Sequence, residues 1–314
     1  MKKSKLILSL LASALMLLAL ASCVDDIRGE NVALNAEIGI TDPVDSQYLQ
    51  PEYLSFGYYK ISGDEYLRVY LDLPKINQEV INIAPQYGGY DVRYLTTNVF
   101  DKNNTTTKKI IFPDTMMGID GYVLSNFQAL EEVVFSKSVS YISPLVFYHS
   151  NVKKVTIDKE NEYYEVKNDA LYQKKDNYFI HYLNNDDLKQ YSVYQATDVL
   201  DYAFSNTSLE SIVFGEGVER ISSYAIDKND KLTSITLPST FKGFGYSYVY
   251  SGANAFYDSE NGIQIYSDDP RFEVLFNRRV FESIKKYNPN LKKIYSHTDL
   301  LCDLSDLGVE YIKL

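Results

Sequence analysis

The chain has 314 residues, 45 % of them hydrophobic, with no tryptophan, 29 tyrosines and a formal charge of −11. That length and apolar fraction suffice for one large or two ordinary domains with a buried core, whose bulky packing must come from tyrosine and phenylalanine. Such acidity repels phosphate backbones, and no basic run concentrates elsewhere, so nucleic acid is excluded as an expected partner.

Met1-Lys2-Lys3-Ser4-Lys5 is a basic opening, and Leu6 to Leu20 is an apolar run too short and too early to span a membrane. This leader ends Leu20-Ala21-Ser22-Cys23, which resembles the lipobox of bacterial lipoproteins. The resemblance implies a signal peptide over 1–22, cleavage before Cys23, and acylation of Cys23 as a membrane anchor. Several acyl chains anchor stably where one alone is marginal. Val24-Asp25-Asp26 resembles the acidic tract of surface-exported Bacteroidetes lipoproteins, which implies an outer-membrane protein exposed at the cell surface. Besides the anchor only Cys302 remains, so an internal disulfide is excluded, and Cys302 reads as a small apolar thiol beside Leu300 and Leu301.

Residues 23–50 form a polar stretch without a sustained period, expected as the lipidated cysteine and its tether. From 51 to 77 the texture changes. Leu54, Phe56 and Tyr58 alternate with polar or small residues, Ser62-Gly63-Asp64 supplies a turn, and Tyr66 to Leu71 alternates again. This is a β-hairpin signature, expected to close the open end of the following array.

That array occupies 78–257. The last apolar residues of its short strands are Ile83, Phe112, Phe135, Ile157, Val193, Phe214 and Leu237, and four of the six intervals are 21 to 23 residues. A second apolar marker follows seven residues on at Ile119, Ile142, Ile221 and Phe244, and six residues on at Val199. Two spacings held together predict a coil: a short strand, a turn, and an irregular or short helical return arm. No coil can bury both sides of its arm, so coils must stack and share one core. Leu130-x-x-Val133-x-Phe135, Val139, Ile142 and Val146-Phe147 resemble the BspA-type leucine-rich repeat of bacterial and protozoan surface proteins. Pro113, Pro238, Val99-Phe100 and Ala203-Phe204 match its consensus too. The resemblance covers about residues 78–250. Val123-Leu124, Ala225-Ile226 and Tyr248-Val249 replace its usual Ala-Phe pair with similar volumes. It implies a leucine-rich-repeat solenoid of short parallel β-strands with irregular or short helical return arms.

The long interval after Ile157 holds two alternating stretches around the polar turn Lys174 to Asn177, which predicts a β-hairpin insert over 161–183. BspA-type proteins carry a similar N-x-x-Y insert, here Asn161 to Tyr164. Residues 258–314 are expected as an α/β C-terminal cap. Its helix starts near Asp268-Asp269-Pro270, with Phe272, Leu275, Phe276, Val280, Ile284 and Tyr287 on one face and Arg278, Arg279, Lys285 and Lys286 mostly off it.

Nothing in the sequence is arranged for catalysis, a metal or a cofactor. His149, His181 and His297 lack ligand spacing, and Asp227-Lys228-Asn229-Asp230 lacks the glycine and terminal glutamate of a calcium loop. An enzyme would need a deep pocket placing one of the histidines beside carboxylates. A binding role is expected instead, from fold and location. Outward strand positions should form one row of Ile111, Val134, Thr156, Ser192, Val213 and Thr236, and a second of Lys109, Glu132, Lys154, Gln190, Ser211 and Ser234. Glu132, Val134, Lys154 and Thr156 are the share of the central repeat. Tyrosines gather in the insert (Tyr163, Tyr164, Tyr172, Tyr178, Tyr182) and late in the coil (Tyr246, Tyr248, Tyr250), and tyrosine suits recognition surfaces. The same tyrosines can instead pack the hairpin and the coil. The expected function is adhesion or capture of a protein or polysaccharide by a lipid-anchored surface protein, and the alternative is a glycan-capture or nutrient-uptake accessory.

Overall fold

The computed structural model describes residues 33–61, 64–96, 103–125, 127–184, 186–245, 255–258, 263–266, 270, 272–300 and 302–314. Within these the chain winds as a β-solenoid of leucine-rich-repeat type, with about 7 turns and little helix. A first parallel ladder stacks Val80–Asn82, Lys109–Ile111, Glu132–Phe135 and Lys154–Ile157. Its inward residues Ile81, Ile110, Val133 and Val155 lie in register and are buried. Each stabilises the coil by about 1.5–3 kcal/mol relative to exposure.

The markers seven residues on are strands as well. Asp64–Leu71, Tyr90–Thr96, Gly118–Ile119 and Tyr141–Ile142 pair in parallel as a second ladder, with Leu67, Leu95, Ile119 and Ile142 facing inward. Among the described residues the return arms are short and largely irregular, as expected, with a 3-10 turn at Pro144–Phe147 started by proline and by Ser143 Oγ accepting from Leu145 N. Coils stack at the strand spacing of about 4.8 Å, whereas a helix with side chains is about 10 Å wide. A short return segment therefore satisfies its backbone by pairing with the next coil.

The solenoid is built in two halves that begin alike. Ala33–Glu37, Leu54–Ile61 and Asp64–Leu71 form an antiparallel meander whose third strand starts the second ladder. The insert repeats this device: Tyr164–Lys167, Ala170–Gln173 and Tyr178–Tyr182 are antiparallel, and Tyr178–Tyr182 then pairs in parallel with Asp198–Val199. Arg220–Ser222 and Gly243–Gly245 continue that ladder. The first ladder resumes as Gln190–Val193, Ser211–Phe214 and Ser234–Leu237. It runs on through Lys293–Ser296 and Glu310–Lys313, inside the region expected as a C-terminal cap. The helix Phe272–Tyr287 buries Phe272, Phe276, Val280 and Ile284 as expected, leaves Tyr287 exposed, and sets Phe281 edge-on against Phe244 of the last second-ladder strand.

The insert is a wall between two cores. Leu171 and Ile180 belong to the core of the first half, while Ala170, Tyr172, Phe179 and Tyr182 belong to that of the second. Period-two alternation divides Ala170, Leu171 and Tyr172 in this way, and the register shift opposite Leu171 and Tyr172 resets it on the facing strand, so that Ile180 and Tyr182 reach different cores. His181 sits in the same wall, stacked on Phe147 with centroids 4.4 Å apart and its Nδ1 3.1 Å from the Tyr202 carbonyl oxygen. Burial pushes its pKa down to about 4, against a raising effect of that hydrogen bond. Unfolding restores the ordinary value near 6.5, so the unfolded chain binds the extra proton between about pH 6.5 and 4, and stability falls as pH falls through that window. The loss is expected to approach about 3 kcal/mol by pH 4. Urea unfolding from pH 7.5 to 4 should show it, with a shallower slope for His181→Gln, and equal slopes would rule this origin out.

Candidate binding surface

The outward rows of the first ladder form as expected within each half but not between them. Lys109, Glu132 and Lys154 are aligned, as are Ile111, Val134 and Thr156. Ser192, Val213 and Thr236 form the second half's own row, which continues to Tyr295 and Ile312. Thr156 and Ser192 do not pair, because the insert separates their strands. Lys154 and Thr156 are exposed, while Glu132 and Val134 are half-buried. Glu132 joins Lys109 and Lys154 at 3.1 Å each. Burial raises its carboxyl and the two lysines lower it, leaving it below the usual glutamate range. Lys189–Glu210, Arg220–Asp198 and Lys242–Glu219 likewise pair between neighbouring coils. These charges are consumed in stacking, and each exposed pair is worth about 0–1 kcal/mol.

The insert's tyrosines are mostly packed. Tyr164, Tyr172 and Tyr182 are buried, Tyr178 is half-buried, and only Tyr163 is exposed, at 44 %. Tyr164 Oη accepts from Ile142 N at 2.9 Å and donates to the Ser140 carbonyl, so it fastens the insert to the preceding coil. Tyr182 lies 4.5 Å from the Tyr191 ring and 5.9 Å from Phe204. A sheet with a coil on both sides has no free face, so the packing reading wins for these three. Tyr246, Tyr248, Tyr250 and Cys23 lie outside the described residues.

Another group of tyrosines, half-buried apart from the buried Tyr66, gathers on the outer face of the N-terminal sheet. Alternation along Tyr66-Leu67-Arg68-Val69-Tyr70-Leu71 buries the leucines and valine and turns Tyr66, Arg68 and Tyr70 to the other face, where Arg68 and Tyr70 are half-buried and Tyr66 is covered by its neighbours. Pairing then sets one row across five strands: Gly57, Arg68, Tyr94, Gly118 and Tyr141. Both glycines make room for rings. A Cβ on Gly118 would fall 2.7 Å from two ring carbons of Tyr94 and 3.5 Å from Tyr141, and one on Gly57 would meet Tyr59 at 3.1 Å and Tyr70 at 3.4 Å. The rings therefore lie down over the strands. Tyr59 stacks on Tyr66 at 5.6 Å with planes 10° apart, and Tyr66 neighbours Tyr94 at 5.5 Å.

Two arginines complete this platform in different electrostatic states. Arg93 lies 5.3 Å from the Tyr66 ring and is neutralised by Asp64, with Asp91 at 3.7 Å. Arg68 sits between the rings of Tyr59 (5.1 Å) and Tyr94 (5.6 Å). Among the described residues it has no carboxylate partner, and its buried Nε has no hydrogen-bond acceptor. Burial pushes the Tyr66 and Tyr70 hydroxyls up to about 12, with Arg68 pulling Tyr70 the other way. Both are neutral donors at pH 7. From its sequence this hairpin is expected only to cap the array, although the alternation that places Tyr66, Arg68 and Tyr70 together is legible there.

A second set of rings crosses the seam between the halves: Tyr122, Tyr148, Tyr202 and Tyr224 follow one another at 5.3, 4.7 and 6.0 Å. His149 stacks on Tyr148, with Nε2 3.0 Å from Asp227 and Nδ1 3.3 Å from Lys228. The lysine can donate only to a bare Nδ1, so Nε2 carries the proton and donates to Asp227. With both ring nitrogens occupied, this histidine acts as a clasp from the first half to the second. Beside it, at the corner of the coils, a polar cleft of about 300 Å³ is lined by Gln128, Asn151, Asn184, Asp186 and Asn206 among others. His297 is exposed.

The sequence matches the family model of the BspA type leucine-rich repeat region in 6 copies, over residues 89–178 and 197–298. No curated protein sequence matches it. Among solved structures it is similar to a leucine-rich repeat protein from Eubacterium ventriosum, at 12 % identity over 89 % of this chain and 85 % of that one, TM-score 0.40. It is similar to the pneumococcal vaccine antigen PcpA at 12 % identity over 87 % and 94 %, TM-score 0.35. A leucine rich cell surface protein from Faecalibacterium prausnitzii gives 12 % identity over 62 % and 94 %, TM-score 0.24.

Proposed function

Because the chain belongs to the BspA-type leucine-rich-repeat family, repeat proteins that are often surface-associated and not in general enzymes, we propose that it is a lipid-anchored binding protein of the outer cell surface. The lipobox-like Leu20-Ala21-Ser22-Cys23 supports the anchor. The observation that carries the binding reading is the platform of half-buried Tyr59, Tyr70, Tyr94 and Tyr141 around Arg68, floored by the buried Tyr66. Tyrosine and arginine are the residues most enriched at binding hot spots, along with tryptophan, which this chain lacks. The partner is a macromolecule, since the row crosses five strands rather than closing round a small ligand.

A second reading, glycan capture, is favoured by one feature: rings that lie along the sheet can stack on pyranose rings. The two readings share a first test. Cells displaying the full chain are incubated with immobilised glycoprotein and protein matrices, beside cells displaying the Arg68→Ala, Tyr94→Ala, Tyr141→Ala triple variant at equal density. Retention is expected to fall at least tenfold for the variant, and equal retention sinks the platform as the site. Protease shaving of the same intact cells is expected to remove the protein, and survival would overturn its surface exposure.

A further inference from the structure

We infer that the platform takes a glycan ending in a carboxylated sugar, with Arg68 receiving the carboxylate and Tyr94 and Tyr141 carrying the neighbouring pyranose ring. This rests on the glycan reading above.

The protein is acidic overall, and the cations neighbouring Arg68 are paired: Lys60 with Glu65 at 2.6 Å, and Arg93 with Asp64 and Asp91. Among the described residues Arg68 is held by the rings of Tyr59 and Tyr94 and by the Tyr70 hydroxyl, and not by a carboxylate. The rings of Tyr59 and Tyr94 hold the guanidinium by cation–π attraction without neutralising it. A planar fork held in this way suits a carboxylate, which it can meet through two parallel N–H···O bonds. Tyr70, whose hydroxyl stays protonated because burial holds its pKa near 12, stands close enough to Arg68 to feel its charge.

The geometry of the row then points to a sugar rather than an acidic side chain of a protein. From Arg68 the row proceeds to Tyr94, Gly118 and Tyr141 on successive strands, and Gly118 leaves a gap in which the Tyr94 ring lies. Both rings lean over Gly118, 2.7 Å (Tyr94) and 3.5 Å (Tyr141) from where its Cβ would stand, and so close up into one flat aromatic surface. Such a surface suits the face of a pyranose ring. An extended peptide would instead seek unpaired backbone at a sheet edge, and these strands are paired on both sides except at Tyr141–Ile142.

Overall acidity narrows the ligand further. A polyanion is repelled by the −11 charge of the chain, whereas a single carboxylate docked on Arg68 feels mainly its local field, because screening limits the rest to a Debye length of about 8 Å in physiological salt. One terminal acid on an otherwise neutral glycan fits both conditions.

The test uses the full chain on an array of matched oligosaccharides: each hexuronic-acid-terminated glycan beside its carboxyl-reduced hexose counterpart, with a polyuronate and an acidic peptide as further probes. The acid-terminated glycans are expected to bind at least tenfold more tightly than their reduced counterparts. Arg68→Gln should abolish that preference while leaving weak binding of both, and Arg68→Lys should keep part of it. Tyr94→Ala should weaken both members of each pair. If glycans bind but the reduced forms bind equally, or if Arg68→Gln leaves the preference intact, the carboxylate assignment fails and the glycan reading stands. If no glycan binds, the glycan reading falls and takes this inference with it. Preference for the polyuronate or for the acidic peptide overturns the inference as well. Unchanged thermal unfolding of each variant secures the comparison.

Discussion

Tyr182→Ala is expected to lower the unfolding free energy by about 3–5 kcal/mol, a fall in Tm of roughly 10 °C. The ring is fully buried against Tyr191 and Phe204 in the core of the second half, and the chain around it is too constrained to close the cavity. Tyr163→Ala, in the same insert but exposed, should change stability by no more than about 0.5 kcal/mol. The contrast decides what the insert is. Urea midpoints that shift equally for both substitutions would mean that the hairpin projects from the solenoid instead of dividing it. The same comparison separates packing from recognition, since Tyr182→Ala has no surface contact to lose.

Asn161→Ala should cost about 3 kcal/mol, although it removes a small polar side chain and leaves little void. Asn161 is 1 % exposed. Its Nδ2 lies within 3.2 Å of the carbonyl oxygens of Ser136, Lys137 and Val139, and its Oδ1 accepts from Tyr163 N and Tyr164 N at 2.8 Å each. Alanine leaves all five backbone groups without this partner, and unpaired buried polar groups are the costly outcome. Asn161→Asp keeps the shape and the acceptor but turns a donor into an oxygen facing three carbonyls, so it should be at least as damaging. Glu132→Ala, which breaks two visible ion pairs, should cost under about 1 kcal/mol because the pairs are solvent-screened. Unfolding midpoints that rank Glu132→Ala above Asn161→Ala would refute this ordering.

Asn161 also shows how far a sequence can be read. Its N-x-x-Y signature marks the insert, yet nothing in four letters says that one amide closes the turn of the previous coil. Asn229 and Asn288 do the same work further on: Asn288 Oδ1 accepts from Asn229 N and Nδ2, and Asn229 Oδ1 accepts from Thr207. These partners lie 22 and 59 residues apart, and only stacking brings them together. The tyrosines teach the converse lesson. A cluster in the chain is not a cluster in space: the insert's tyrosines divide between two cores, while Tyr59, Tyr94 and Tyr141, each from a different coil or strand, meet on one face.

By itself the sequence determined the repeat, its spacing, the inward residues of both ladders and the position of the insert. All of these follow from local periodicity, in which each apolar residue is set by the neighbours two or seven positions away. Tertiary structure alone decided that the second marker is a strand, that the insert is a wall with no free face, and that Arg68 stands among rings with no carboxylate partner among the described residues. The reason is physical. Which side of a hairpin is buried, and which cation finds a carboxylate, depends on what stacks against it from 20 to 60 residues away, and stacking leaves no mark in local pattern.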